Sequence, residues 1–219
     1  MKTKILLIMM SVLFLDMGVS KATHYLAEDG DFFSTIALFN NDTLLMNGGN
    51  GETLTLGDYA IANIENTDLP IGITDIISGG YGIINIYGGG IGNIQAINES
   101  IINMTGGSVN SLEMYHESML YLYGGNIGSL ASAQPLILIP PEDPGPHGWI
   151  QFFCREYDYN SDTNLLTGLW ADSSAFSINL SDIGTYPTYD QIEFHIIPEP
   201  ATIILLGLGG LWLGKRRSI

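Results

Sequence analysis

The residue types and spacings that could do chemistry are few. Asp158-Tyr-Asn160-Ser-Asp162 alternates oxygen-bearing side chains in the way that opens a calcium loop. The glycine expected at the sixth position of such a loop is Thr163, and the bidentate glutamate expected at the twelfth is Leu169. The motif is therefore incomplete, and a polar hairpin loop between two strands is the plainer expectation. Loosely bound calcium is the one cofactor that these residues suggest. Glu99 and Glu117 each precede a serine, 18 residues apart. Stacked on neighbouring coils they would lie about 5 Å apart, the carboxyl separation of a retaining glycosidase. Like charges at that distance are also ordinary on a solvated corner. His24, His116, His147 and His195 show no metal-ligand spacing. Cys154 is the sole cysteine and sits in an apolar run, Phe152-Phe153-Cys154, which suits a packed residue better than a nucleophile. No Ser-His-Asp order, phosphate-binding glycine loop or HExxH motif is present. The chemistry alone gives no catalytic set, and the chain reads as non-enzymatic. The alternative is a carbohydrate-active β-helix enzyme acting on a neutral glycan through Glu99 and Glu117.

Charge narrows the partners. The formal net charge is −16, and six of the seven Lys and Arg residues lie in the terminal segments. Between Thr23 and Ile197 the only cationic side chain outside histidine is Arg155. Such a body repels phosphate backbones, which excludes nucleic acid. It repels anionic lipid surfaces as well. A lyase acting on acidic sugars would need cations that this body lacks.

The elements that must position these residues come from a repeat. Ile83-Ile-Asn-Ile-Tyr-Gly-Gly, Ile101-Ile-Asn-Met-Thr-Gly-Gly and Met119-Leu-Tyr-Leu-Tyr-Gly-Gly align without gaps at a period of 18. Ile86, Met104 and Leu122 fall in register, as do Ile91, Val109 and Ile127, and Ile94, Leu112 and Leu130. An earlier copy runs from Thr43, and a longer, irregular coil spans 61–82 with Asp68-Leu69-Pro70 in its insertion. Ile84 and Ile86 alternate with Asn85 and Tyr87, a strand pattern. The Gly-Gly pairs then allow a corner with positive φ, expected at Gly106. A period this short signals a solenoid. The fold class is all-β: a short parallel β-helix with about 18-residue coils, followed by a small antiparallel β segment. Stacking at about 4.8 Å per coil gives five coils a length of about 24 Å. The coils occupy 43–134, and 23–42 is expected to cap the first of them. Residues 135–147 form a Pro-rich connection, and 148–197 a β region. On the coils, Asn85, Asn103 and Tyr121 form one vertical ladder and Tyr87, Thr105 and Tyr123 another. These ladders pack coil on coil, or present an aromatic-polar face to sugar rings.

The two ends carry address signals. Met1-Lys-Thr-Lys4 precedes the apolar run 5–15, and small residues lead to a cleavage site after Ala22, with Ser20 as the competing site. Residues 1–22 therefore read as a signal peptide. At the other end Pro198-Glu199-Pro200 is followed by a short apolar stretch, 201–214, and then by Lys215-Arg216-Arg217. The prolines stop a preceding strand, and the basic triplet favours the cytoplasmic side. This order resembles the PEP-CTERM sorting signal of Gram-negative bacteria, carried here by Pro198, Glu199, Pro200, Lys215, Arg216 and Arg217 within 198–219. The resemblance implies a tail that associates transiently with the inner membrane and is processed by an exosortase. It also implies a body delivered to the cell surface or the exopolysaccharide matrix. Signal peptidase would be the second export partner. With its Gly-Gly coils, the Leu166-Thr-Gly-Leu-Trp-Ala-Asp172 run and the Pro198-Glu199-Pro200 tail, most of the chain resembles planctomycete-type exported β-solenoid proteins, and that resemblance carries no activity over.

Overall fold

The computed structural model describes residues 22–68, 70–133, 149–183 and 187–198. The expectations for the signal segment up to residue 21, the Pro-rich connection and the tail from Glu199 onward lie outside the described residues.

Each coil is built from two strands. The first coil is β1 (His24–Glu28) with β2 (Phe32–Leu38), and the second is β3 (Thr43–Asn47) with β4 (Asn50–Leu56). Four more follow: β5 (Ile61–Asn66) with β6 (Ile73–Ser78), β7 (Ile83–Ile86) with β8 (Gly90–Ala96), β9 (Ile101–Met104) with β10 (Ser108–Tyr115), and β11 (Met119–Leu122) with β12 (Asn126–Ala133). The odd-numbered strands stack in parallel as one sheet, and the even-numbered strands as a second. The segment expected to cap the first coil is thus itself a coil, and the stack has six coils. Its Asp29-Gly30 corner lacks the Gly-Gly signature, and Gly30 supplies the positive φ of 84°.

Short β-branched runs make these strands because alternate side chains can be buried on one face. In β7, β9 and β11 every second residue is buried. Ile86, Met104 and Leu122 stack in one inward column, as expected. The column extends to Ala27, Met46 and Ile64 before them and to Phe152 after them, all buried. Ile83 pairs with Ile101, a step of 18, whereas Ile61 pairs with Ile83, a step of 22. The longer coil is therefore real, and its extra residues sit at the corner between β5 and β6. In the even-numbered strands two residues separate successive inward positions. Val109 and Leu112 are both buried, and Asn110 between them drops out of the ladder. Each of these strands turns a corner in its middle.

The Gly-Gly corners work differently from the expectation. In the three later pairs positive φ falls on the second glycine alone, at 77° for Gly107, and not on Gly106, whereas Gly48 and Gly49 both take it. Gly106 is needed for a different reason: a Cβ there would lie 2.3 Å from the Tyr87 carbonyl oxygen of the coil before. The opposite corner carries a second ladder that sequence reading missed. Asn40, Asp58, Gly80, Asn98 and His116 recur at the same place in successive coils, with φ between 50° and 61°. These are residue types that tolerate the left-handed region.

The C-terminal segment adds to one end of the stack. β13 (Trp149–Asn160) continues the first sheet by pairing in parallel with β11. β15 (Ala175–Asp182) continues the second by pairing in parallel with β12. β14 (Leu165–Trp170) runs antiparallel to both and joins the two sheets. After a 3-10 turn at Thr188–Gln191, β16 (Ile192–Ile196) adds parallel to β13. The core of this cap is aromatic. Trp170 is buried, 5.1 Å from Phe152 and 4.4 Å from Phe176 between ring centres. Its indole Nε1–H donates to the Gly125 carbonyl at 2.9 Å, which ties the cap to the last Gly-Gly corner.

Candidate functional site

The Asp158–Asp162 segment forms the hairpin between β13 and β14. Asn160 Oδ1 accepts from the backbone N–H of Asp162 at 2.9 Å and of Thr163 at 3.3 Å. The Tyr159 hydroxyl donates to Asn164 Oδ1 at 2.9 Å, and Asn164 takes a φ of 51°. The middle oxygen of the motif is thus engaged by its own turn. Among the described residues no three His, Cys, Asp or Glu side chains group to hold an ion.

Glu99 and Glu117 follow Asn98 and His116 at the left-handed corner and are exposed. Tyr59 and Tyr81 occupy the same corner position one and two coils earlier, and their rings stack at 4.9 Å. The Glu99 carboxylate, by hydrogen bond and by charge, raises the Tyr81 hydroxyl above its ordinary pKa. The two glutamates extend an exposed tyrosine column.

Three histidines lie apart. His24 Nδ1 is 2.6 Å from Thr43 Oγ1. His116 forms a corner. His195 bonds Gln151, lies 3.8 Å from Glu193 and stacks on Phe153 at 4.6 Å. His147 is outside the described residues. Cys154 is fully buried, and burial pushes its thiol up to about 11. A thiol held neutral there is no nucleophile at ordinary pH.

The two expected ladders stand on the outer face of the first sheet. Asn85 donates to Asn63 and Asn103 donates to Asn85, each at 2.8 Å. Tyr121 follows Asn103 in that column. Tyr87 and Tyr123 are exposed, and Tyr123 stacks on Phe153 at 4.3 Å.

A groove lies elsewhere, on the outer face of the second sheet. It has a volume of about 440 Å³ and spans β4 to β10. Thr53, Asp75, Asn93 and Ser111 form one wall column, and Ile77, Gln95 and Glu113 the next. Asn93 Nδ2–H donates to Asp75 Oδ1 at 2.9 Å. Gln95 Nε2–H donates to Glu113 Oε2 at 3.2 Å, and the Tyr115 hydroxyl donates to the same oxygen at 2.7 Å. Burial first, and the Glu113 hydrogen bond second, push the Tyr115 hydroxyl up to about 12. The groove offers amides, hydroxyls and carboxylate acceptors in rows about 4.8 Å apart, with no cation among its lining residues. That chemistry suits a ligand rich in hydroxyl donors and repels an anionic one. The sequence did hold a signal for it. These polar positions recur at the coil spacing, but their residue types change from coil to coil.

No protein-family model, no curated protein and no solved structure matches the chain.

Proposed function

We propose that this chain is an exported cell-surface or matrix-associated β-solenoid with a non-enzymatic binding role. Its second-sheet groove takes a neutral, polyhydroxylated chain such as an exopolysaccharide. The observation that carries this reading is the pairing inside the groove. Asp75 and Glu113 each accept from a neighbouring side chain. The groove therefore presents a fixed hydrogen-bonding surface across several coils. Export is supported by the residues of the ends: the cut after Ala22 by signal peptidase, and Pro198-Glu199-Pro200 with Lys215-Arg216-Arg217 for an exosortase.

Affinity electrophoresis of the full chain through gels containing neutral glycans or polyuronates tests the groove. Retardation is expected in a neutral glycan only. Asn93→Ala and Gln95→Ala should each weaken it roughly tenfold, the scale of one hydrogen bond. Retention by polyuronates alone would overturn the assignment. So would glycan turnover that is lost in Glu99→Gln or Glu117→Gln. Sorting is tested separately, because deletion of 198–219 should abolish surface delivery in an exporting host.

A further inference from the structure

The outer face of the first sheet carries a column of rings with one place left open. Backbone bonds continue the ladder one residue past the strands. Thr105 N–H donates to the Ile86 carbonyl and Tyr123 N–H to the Met104 carbonyl, each at 2.9 Å. That register sets Tyr87, Thr105, Tyr123, Phe153 and His195 one above another, one per strand. Where neighbours in a column both carry rings, the rings stack nearly parallel. Tyr123 lies 4.3 Å from Phe153 between ring centres, and Phe153 lies 4.6 Å from His195, with the planes 11° and 14° apart. Tyr59 and Tyr81, neighbours at the left-handed corner, repeat this at 4.9 Å and 3°. Thr105 breaks the first-sheet column, because it has no ring. Tyr87 and Tyr123 thus stand two coil steps apart, about 9.6 Å. They are 54% and 42% exposed, and Thr105 between them is exposed as well.

We infer that the place over Thr105 takes one neutral sugar ring, held between Tyr87 and Tyr123. Phe153 shows the same kind of place filled, with Tyr123 one step to one side of it and His195 one step to the other. A ligand ring at the level of Thr105 meets both tyrosines at that step, near the lower end of the roughly 4.5–7 Å at which aromatic rings pair. Phe153 already backs Tyr123, so less side-chain freedom is lost when the ring binds. Tyr87, Thr105 and Tyr123 are each followed by two glycines, so the corner puts no side chain over the opening. The surroundings select a sugar over a flat aromatic molecule. Asn85, Asn103 and Tyr121 stand in the adjacent column. With Thr105 they offer amides and hydroxyls and no charge. A sugar ring turns its C–H faces to the tyrosines and its edge hydroxyls to these groups, whereas a flat aromatic ring uses the stacking alone. An acidic sugar meets the field of a chain with net charge −16. This place lies on the other sheet from the groove and does not depend on what the groove binds.

The full chain, purified in detergent with isotope-labelled tyrosine rings, is titrated by nuclear magnetic resonance. The probes are cellohexaose, maltohexaose and mannohexaose, with phenol as the flat aromatic comparison. Tyr87→Phe and Tyr123→Phe assign the two ring signals. Both signals should move together and saturate with at least one of the three sugars. Thr105→Phe puts a ring of the protein's own in the open place. It should weaken the sugar response of both signals roughly tenfold or more, with a urea midpoint no lower than the parent's. Tyr87→Ala should weaken the response at Tyr123 by about tenfold. Asn93→Ala, in the groove, should leave both responses unchanged, so failure of the groove reading and failure of this one are told apart. No movement with any of the three sugars, an equal response in the parent and in Thr105→Phe, or saturation by phenol at lower concentration than by sugar would overturn the inference. If Thr105→Phe loses cooperative unfolding, Tyr87→Ala decides alone.

Discussion

Cys154 and Tyr115 set an alkaline limit on stability. The Cys154 thiol moves from an ordinary 9.0 to about 11, and the Tyr115 hydroxyl from 10.0 to about 12. Both groups are neutral below pH 9, folded or unfolded. Above pH 9 the unfolded chain releases the cysteine proton while the folded chain keeps it, so the unfolded state gains. The stabilising preference for the neutral thiol is fully present below 9 and is lost as pH rises through about 11. Tyrosine repeats this between 10 and 12. Urea midpoints should therefore fall from pH 9 to 11, and Cys154→Ala should flatten that part of the curve. A mutant curve parallel to the wild type would refute the role of the thiol. Residues differ in how openly the sequence displays their place. Ile86, Met104 and Leu122 were readable because an inward site tolerates only apolar types. Asp75, Asn93 and Ser111 were not, because an outward site admits many polar types and only the stacked register brings them together. The Asp158–Asp162 spacing could not reveal that Asn160 spends its oxygen on its own turn.

Among the elements, β14 matters most for holding the cap. Trp170 fills the space between Phe152 and Phe176 and also bonds the Gly125 carbonyl. Trp170→Ala should cost about 3–5 kcal/mol through the cavity it leaves. Trp170→Phe keeps most of the packing and loses the hydrogen bond, at about 1 kcal/mol. Denaturant unfolding of the two variants checks both the size and the order. The sequence marked 148–197 as a β region, because short apolar runs between turn residues are a local signal. It did not show that β13 and β15 change partners along their length. β13 pairs with β11 through its first residues and with β14 through its last. Such pairing depends on elements tens of residues away, which no local pattern records. The first coil hides from the repeat pattern because its corner uses Asp29-Gly30 in place of Gly-Gly.

Across the whole molecule, stability is a sum of coil-on-coil interfaces. Deleting residues 101–118 removes one coil and brings 83–100 directly onto the coil that starts at Met119, with both sheets in phase. That variant should fold cooperatively with a lower denaturant midpoint. Deleting 101–109 alone removes β9 and its corner but leaves most of β10 without its first-sheet partner. It should lose the cooperative transition, and equal behaviour of the two deletions would contradict the stacked architecture. The corner between β5 and β6 shows the other permitted change, since its extra residues enter without disturbing the pairing of Ile61 with Ile83. A lineage carrying this chain can therefore lengthen by two copying errors. In-frame duplication of a coil regenerates both seams at once, and small insertions can accumulate at a corner. Neither route passes through an ancestor that cannot fold, so length can drift while every coil keeps its neighbours in register.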